Sequence, residues 1–323
     1  MNILVYTRST LPVKNYGGTE RVIWDLVHAL ALSGQQVTLL AGKGTECQWA
    51  RVIEYQPDKP LAEQIPNDIE VVHFHSHLEP IFCPYVYTQH GNSSGPIDPN
   101  TIFVSQQHAI NHGATAFVHN GLNWDNYPTP DLQRPRQRFH FLGKAAWRVK
   151  NVQGAIDITK QAGEFLDVLG GHRLNVKMGF RFTLDRHVRF WGMVDDHTKS
   201  QVMMKSNGLI FPVTWHEPFG LAITESLFFG CPVFATPYGS LPELVTQEVG
   251  FLSANQQELV QAIRNRDQYQ VQDCHQYARD CFNAQVMANA YIDKYQQVIN
   301  GQVLNPVLGS IVSEYKKLPY YKR

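Results

Sequence analysis

Cys-x-x-Cys pairs are missing from this chain. Its five cysteines, Cys47, Cys83, Cys231, Cys274 and Cys281, are scattered and odd in number. That argues against a disulfide framework or a zinc site and fits a reducing cytosol. An excess of charge of either sign is also absent. Lys plus Arg and Asp plus Glu number 28 each, so no global basic field recruits nucleic acid. No apolar run approaches the length that spans a bilayer. The chain opens directly on the strand-like Asn2-Ile3-Leu4-Val5-Tyr6, without a basic segment followed by an apolar stretch. A soluble or peripheral, cytoplasmic protein is the expectation. Internal repeats and low-complexity tracts are lacking too.

The 323 residues, 43% of them hydrophobic, suffice for about two domains at roughly 150 residues each. Short apolar strands alternate with helical patterns, which favours parallel sheets covered by helices and hence an α/β fold. The first unit is legible in detail. A strand at 2–7 leads into a loop with Gly17-Gly18-Thr19-Glu20, then a helix whose Val22, Ile23, Leu26, Val27 and Leu30 follow helical spacing until Gly34. Further strands are expected at 37–41, 70–74, 85–88, 102–105 and 116–118. The proline-rich, polar stretch from Tyr127 to Arg138 reads as a linker. A second alternating region starts at Phe139, with strands near 165–169, 188–191, 208–213 and 232–235. The expected division is a first lobe at 1–130, a second at 131–300 and a tail at 301–323 that crosses back to the first. Two such sheets facing one another would hold a ligand between them, outside the carboxyl ends of their strands.

The most informative stretch is Trp215-His216-Glu217-Pro218-Phe219-Gly220-Leu221-Ala222-Ile223-Thr224-Glu225. An apolar strand at 208–213 precedes it. Pro218 and Gly220 end the extended chain, and an apolar helix from Leu221 to Phe229 begins with backbone N–H groups unpaired beside the loop. Glu217 before the turn and Glu225 within the helix can face one crevice. Carboxylates accept hydrogen bonds only, and the vicinal hydroxyls of a sugar or ribose present two donors at matching separation. Polyol recognition is the chemistry this pattern suits.

This stretch resembles the Glu, seven residues, Glu signature of retaining glycosyltransferase family 4, with its Glu-Pro-Phe-Gly-Leu core. The continuation, Gly230-Cys231-Pro232-Val233-Phe234-Ala235-Thr236 and Gly239-Ser240-Leu241-Pro242-Glu243, is similar to that family's next strand and turn. The resemblance covers most of residues 1–300 and implies a GT-B architecture, two Rossmann-like lobes facing across a central cleft. It implies an acceptor side in the first lobe and a nucleotide-sugar donor side in the second.

Residue by residue, the resemblance implies a donor-diphosphate clamp at Gly143 and Lys144, with Arg148 or Lys150 in the second cationic role. Lysine stands at 144 where the family has arginine, and the interval to Lys150 is one residue longer than in most relatives, which leaves Arg148 and Lys150 both open. Gly192, after Val188-Arg189-Phe190-Trp191, resembles the glycine whose backbone meets the nucleobase. Gly170-Gly171 carries a weaker phosphate signal. In the first lobe, Gly17 and Gly18 resemble the diglycine loop where backbone N–H groups approach a phosphate or acceptor. His90, ending Tyr85-Val86-Tyr87-Thr88-Gln89, resembles a histidine close to the donor sugar. His73, His75 and His77 alternate at a strand end, a pattern the family has without metal. His216, Phe219, Gly220 and Leu221 complete the donor surface, His216 as a specificity residue.

The implied function is a retaining glycosyltransferase moving a sugar from a nucleoside-diphosphate sugar to a hydroxyl acceptor in glycan, lipopolysaccharide or glycolipid synthesis. Glu217, His90, Lys144 and Lys150 would carry catalysis and Glu225 the ribose. No Asp-x-Asp motif is evident, so metal independence and no cofactor are expected. Partners would be the donor and a carbohydrate or lipid-linked acceptor, with no nucleic acid. The alternatives are a non-catalytic nucleotide-sugar-binding or assembly protein on the same fold and a two-lobed sugar-nucleotide epimerase. The ending Lys316-Lys317-Leu318-Pro319-Tyr320-Tyr321-Lys322-Arg323 mixes base and aromatic, read as a frayed terminus or a peripheral contact with anionic lipid.

Overall fold

Strand runs such as Ile3-Leu4-Val5-Tyr6 and Val71-Val72-His73-Phe74 are buried on both faces, which requires a sheet covered by helices on each side. The computed structural model describes residues 1–13, 17–176, 178, 180–312 and 317–322, and the chain divides into two compact units.

The first unit, Met1–Trp124 with Cys281–Glu314, holds a six-stranded sheet. Its strands are β1 (Asn2–Tyr6), β2 (Gln36–Ala41), β3 (Arg51–Glu54), β4 (Val71–Phe74), β5 (Tyr85–Gln89) and β6 (Thr101–Phe103). All pairings are parallel, in the order β3-β2-β1-β4-β5-β6. Helix α1 (Gly18–Leu32) buries the predicted stripe Val22, Ile23, Leu26, Val27 and Leu30 and stops where Gly34 takes a left-handed φ of 77°. Helix α2 (Gln106–Asn111) is capped by Ser105, whose Oγ accepts from the His108 N–H at 3.1 Å. The strand expected at 116–118 is reduced to one bridge, Phe103 with Phe117.

The second unit, Asp125–Asp280 with Tyr315–Arg323, repeats the plan. Its strands and helices run β7 (Arg138–Leu142), α3 (Val152–Ala162), β8 (Leu166–Leu169), the short pair β9 (Leu174–Asn175) and β10 (Arg181–Phe182), β11 (Val188–Phe190), α4 (Asp196–Met203), β12 (Ser206–Phe211), α5 (Leu221–Phe228), β13 (Val233–Ala235), α6 (Leu241–Leu244), β14 (Gly250–Leu252), α7 (Gln256–Arg264) and α8 (Val271–Cys281). The main sheet is parallel in the order β11-β8-β7-β12-β13-β14, and β9 pairs with β10 as a separate antiparallel ribbon. In each unit the strand order reverses between the first strand and the fourth of the main sheet: β1 and β4, β7 and β12. In open parallel sheets such a reversal is where ligands bind, outside the carboxyl ends of the strands. His140, fully buried in β7, fastens the second reversal point. Its ring nitrogens bond Ser206 Oγ at 2.6 Å and Ser226 Oγ at 2.8 Å, joining β7, β12 and α5.

Two boundaries differ from those expected. The units part at 124/125, because the segment read as a linker packs on the second: the Arg136 guanidinium donates to the Ser206 carbonyl at 2.6 Å and the Phe229 carbonyl at 2.7 Å. Helix α9 (Ala284–Ile299), expected to close the second lobe, belongs to the first. Tyr295 OH lies 2.7 Å from His73 Nδ1, and Tyr291 OH lies 2.9 Å from Thr88 Oγ1, which is itself 2.7 Å from His73 Nε2. This buried chain ties α9 to β4 and β5. Residues 302–312 continue on the first unit through Asn305, whose amide donates to the carbonyls of Pro99 and Thr101. Residues 317–322 lie on the second: Leu318 N donates to Thr214 O, Tyr321 N to Ala254 O, and Lys322 pairs with Asp157 at 3.1 Å. This part of the tail is therefore fastened by backbone bonds rather than frayed. Tyr315, Lys316 and Arg323 lie outside the described residues.

Candidate active site

The loop after β12 is held from two sides. Asn151 takes a left-handed φ of 53°, caps α3 through Oδ1 to Gly154 N at 3.1 Å, and donates from Nδ2 to Pro212 O at 2.8 Å. Thr214 N donates to Val149 O at 2.8 Å. From the other side comes the Gly239-Ser240 turn, where Ser240 N donates to Glu217 O at 2.9 Å and the Ser240 hydroxyl donates to Phe219 O. A Cβ on Gly239, at φ 62°, would sit 2.3 Å from both Glu217 N and Glu217 O. The glycine is needed for that approach. Gly220, at φ 94°, then turns the chain into α5.

The loop places Glu217 in a buried position with two donors on one oxygen. Lys150 Nζ and Trp215 Nε1 reach Glu217 Oε2 at 2.6 and 2.8 Å. The Lys150 ammonium also stands 5.1 Å from the Trp215 ring and 5.2 Å from the Phe211 ring, so aromatic faces and a carboxylate together stabilise its charge. Glu225, buried on α5, accepts from Lys199 Nζ at 2.6 Å and Tyr127 OH at 2.8 Å, and Lys199 also pairs with Asp196 at 3.0 Å. Sequence reasoning did not find Lys199, Tyr127 or Trp215 as partners of the two glutamates. Lys199 and Tyr127 lie far from Glu225 along the chain, and no spacing links them. Trp215, two residues before Glu217, was the readable one.

Lys150 and Glu217 thus meet, whereas Arg148 and Lys144 are exposed, the Lys144 ammonium lying 5.4 Å from the Trp147 ring. Gly143, Gly170, Gly171 and Gly192 come together at the ends of β7, β8 and β11. Ala145 N donates to Gly170 O at 3.0 Å, Gly170 N to Gly192 O at 2.8 Å and Gly192 N to Gly171 O at 3.1 Å. A Cβ on Gly170 would meet Gly143 O at 2.3 Å, and one on Gly192 would meet His172 Cε1 at 2.9 Å. Together these glycines form a bare backbone bed beside Lys144. Phe219 is buried, and Leu221 opens α5 beside it. Burial holds the His216 imidazole below its usual pKa, which favours the neutral ring.

Gly17, Gly18 and His90 belong to the first unit. Gly17 is the N-cap of α1 and Gly18 its first residue. A Cβ at Gly17 would press on Glu20 Oε2 at 2.8 Å, and Glu20 Oε1 accepts from Ser9 Oγ at 3.2 Å, so Glu20 lies back over the helix start. His90 Nε2 lies 2.8 Å from His75 Nδ1. Desolvation pushes the His90 pKa down to about 4, which keeps the ring neutral near pH 7. His73 and His75 are likewise held well below the usual value, by burial first. Among the described residues no group of three His, Cys, Asp or Glu is arranged to hold a metal ion, and no helix is long and apolar enough to cross a membrane.

Two parallel six-stranded sheets of this order match GT-B glycosyltransferases of known structure. AviGT4, a glycosyltransferase involved in avilamycin A biosynthesis, superimposes with a TM-score of 0.76 at 18% identity over 94% of this chain and 99% of its own. HepE of Anabaena, in complex with UDP and glucose, gives 0.63 at 17% identity over 92% and 100%. Within the sequence, residues 135–266 match the family described as Glycosyl transferases group 1. These residues include Lys144, Lys150, Glu217 and Glu225. A curated relative, an uncharacterized 41.2 kDa protein in the cps region of Klebsiella pneumoniae, is 25% identical over 117 residues, 34% of this chain and 32% of that protein. The match thus spans about a third of that relative's length.

Proposed function

We propose that the chain is a configuration-retaining glycosyltransferase that takes a sugar from a nucleoside-diphosphate donor and delivers it to a hydroxyl acceptor. The observation that carries this reading is the pair of buried glutamates, Glu217 and Glu225, at the reversal point of the second sheet, each held by a lysine. A buried carboxylate with fixed donors on one oxygen keeps its other oxygen oriented for a sugar hydroxyl. The family match over residues 135–266 and the fold point the same way.

In this mechanism the donor C1–O bond to the diphosphate breaks as the acceptor oxygen bonds C1 on the same face. The acceptor hydroxyl's proton passes to the departing diphosphate oxygen. Lys144 and Lys150, with the backbone bed of Gly143, Gly170 and Gly192, offset the charge growing on that diphosphate. Glu217 binds hydroxyls of the oxocarbenium-like sugar. In the first unit, the neutral His90 ring suits a hydrogen bond to a sugar hydroxyl. Glu225 binds the ribose. HepE, complexed with UDP and glucose, is in keeping with a nucleoside-diphosphate donor. Five cysteines without a disulfide suit a cytoplasmic setting.

The test is release of nucleoside diphosphate from a panel of UDP-, GDP- and ADP-sugars, with candidate glycan and lipid acceptors added and Glu217→Ala as control. Release from one donor that the variant loses, with a product whose proton NMR shows the donor's anomeric configuration, supports the reading. Donor binding without consumption would overturn it in favour of a nucleotide-sugar-binding protein, and an isomerised sugar in favour of an epimerase. An inverted linkage would refute retention alone.

A further inference from the structure

The last described residues, 317–322, lie on the second unit but outside 135–266, the span that matches the family. Their hydrogen bonds fall in two places. At the start of α7, Tyr321 forms a parallel bridge with Asn255: Tyr321 N donates to Ala254 O at 2.8 Å, and Gln256 N donates to Tyr321 O at 2.7 Å. The Lys322–Asp157 pair beside it, with Lys322 63% exposed, adds little to this anchor. The second place is the loop that carries Glu217. Leu318 N donates to Thr214 O at 3.0 Å, and the Tyr238 hydroxyl donates to Pro319 O.

These two partners stand on either side of Glu217. Thr214, 2% exposed, precedes Trp215, whose indole donates to Glu217 Oε2 at 2.8 Å. Thr214 N is bound to Val149 O at 2.8 Å, next to Lys150, the other donor to that carboxylate oxygen. Tyr238 precedes the Gly239-Ser240 turn, where Ser240 N donates to Glu217 O at 2.9 Å. The terminal segment thus supplies the donor to a carbonyl in one wall of the loop and accepts from a side chain in the other. A buried carbonyl left without a donor is costly, so the wall at Thr214 depends on the segment that satisfies it. We propose that Leu318–Tyr321 is a positioning element for Glu217, clasping the two walls of its loop through the backbone of Leu318 and Pro319 while Tyr321 anchors the segment at α7. The effect on turnover rests on the transferase reading above; the clasp itself does not.

The experiment compares the full chain with one that ends at Lys317. Hydrogen exchange over 213–220 and 237–241 is expected to quicken by about tenfold or more in the shortened chain, while β8 keeps its protection. The kcat for sugar transfer is expected to fall by about tenfold or more with donor KM within about threefold, because Glu217 is misplaced while the diphosphate and ribose contacts remain. Leu318→Pro removes the N–H that Thr214 O accepts and should reproduce both effects in a full-length chain, whereas Leu318→Ala keeps the N–H and should produce neither. Exchange unchanged over the two loop segments, exchange quickened equally in β8 in both the shortened chain and Leu318→Pro, or an unaltered kcat in both would each overturn the proposal. If the full chain transfers no sugar from any donor, the transferase reading fails, and exchange over 213–220 and 237–241 alone decides whether the segment clasps the loop.

Discussion

The Lys199–Glu225 pair allows the electrostatics of the second unit to be tested separately from its chemistry. At 2.6 Å the gross attraction is about 6 kcal/mol at an effective dielectric of about 20. Desolvating each ion costs several kcal/mol, so the pair is close to neutral against an uncharged replacement. Removing one partner is a different matter. Lys199→Met leaves the Glu225 carboxylate, 9% exposed, with the Tyr127 hydroxyl as its remaining described side-chain donor, and is expected to cost about 3–5 kcal/mol. That corresponds to a melting temperature lower by roughly 6–20 °C for a unit of this size. Lys199→Met with Glu225→Gln leaves no charge at the pair, and the glutamine oxygen can still accept from Tyr127. The double variant should therefore recover most of the lost stability, with a coupling of at least about 1.5 kcal/mol between the two sites. Its donor affinity should stay low, because the carboxylate assigned to the ribose is gone. Melting of the wild type, the two single variants and the double variant supplies the cycle, and donor titration supplies the second readout. A Lys199→Met protein within about 1 kcal/mol of the wild type, or strictly additive effects, would refute the claim that burial makes this pair interdependent.

Glu225→Ala should weaken donor use by about 10- to 150-fold, the worth of one charge-assisted hydrogen bond of roughly 1.5–3 kcal/mol; unchanged donor affinity by calorimetry would count against its role. Gly239→Ala inserts a methyl 2.3 Å from the Glu217 backbone at a left-handed φ, so turnover should fall by about tenfold or more, which a kcat comparison checks. Low pH should destabilise the second unit through His140, whose pKa burial lowers to about 3 from 6.5. The unfolded state binds the proton first, so this contribution is whole above about pH 6.5 and is lost as pH falls toward about 3, by on the order of 4 kcal/mol. His140→Gln should flatten that slope in melts across the range. Turnover of the proposed transferase should survive chelator treatment, and its loss would count against metal independence.

What the sequence made legible divides along physical lines. Strands β1, β4, β7 and β12 could be read because both faces are buried, which writes the strand as an apolar run. The Glu217–Glu225 loop could be read because its backbone demands leave a trace: Gly220 and Gly239 both take positive φ, and Pro218 ends the extended segment. The ribbon, α4, α7 and α8 left weaker traces. Helix α4 interleaves Asp196, His197, Thr198 and Lys199 with few apolar positions, so its periodicity is faint. The chain's partition was misread at α9 for a different reason. Its amphipathic pattern establishes a helix but does not name the sheet it covers, and that choice is made by Tyr291 and Tyr295 meeting Thr88 and His73 some two hundred positions away.

The same limit applies to the candidate site. The carboxylates were identifiable because Glu217 sits on a turn with strict backbone geometry and Glu225 in the helix that this turn opens, whereas their lysine and tyrosine partners come from elements whose own folding does not require them. Lys199 is 2.6 Å from Glu225 across twenty-six positions of sequence, and nothing about the helix it belongs to calls for a lysine there. Arg148 and Lys150 illustrate the converse. Spacing alone left both open, because either could follow the β7 turn; the left-handed Asn151 and its bond to Pro212 O link this loop to β12, and Lys150 is the one that meets Glu217. A reading of this chain's chemistry therefore rests on glycines for where the backbone can go and on tertiary packing for which charges meet there.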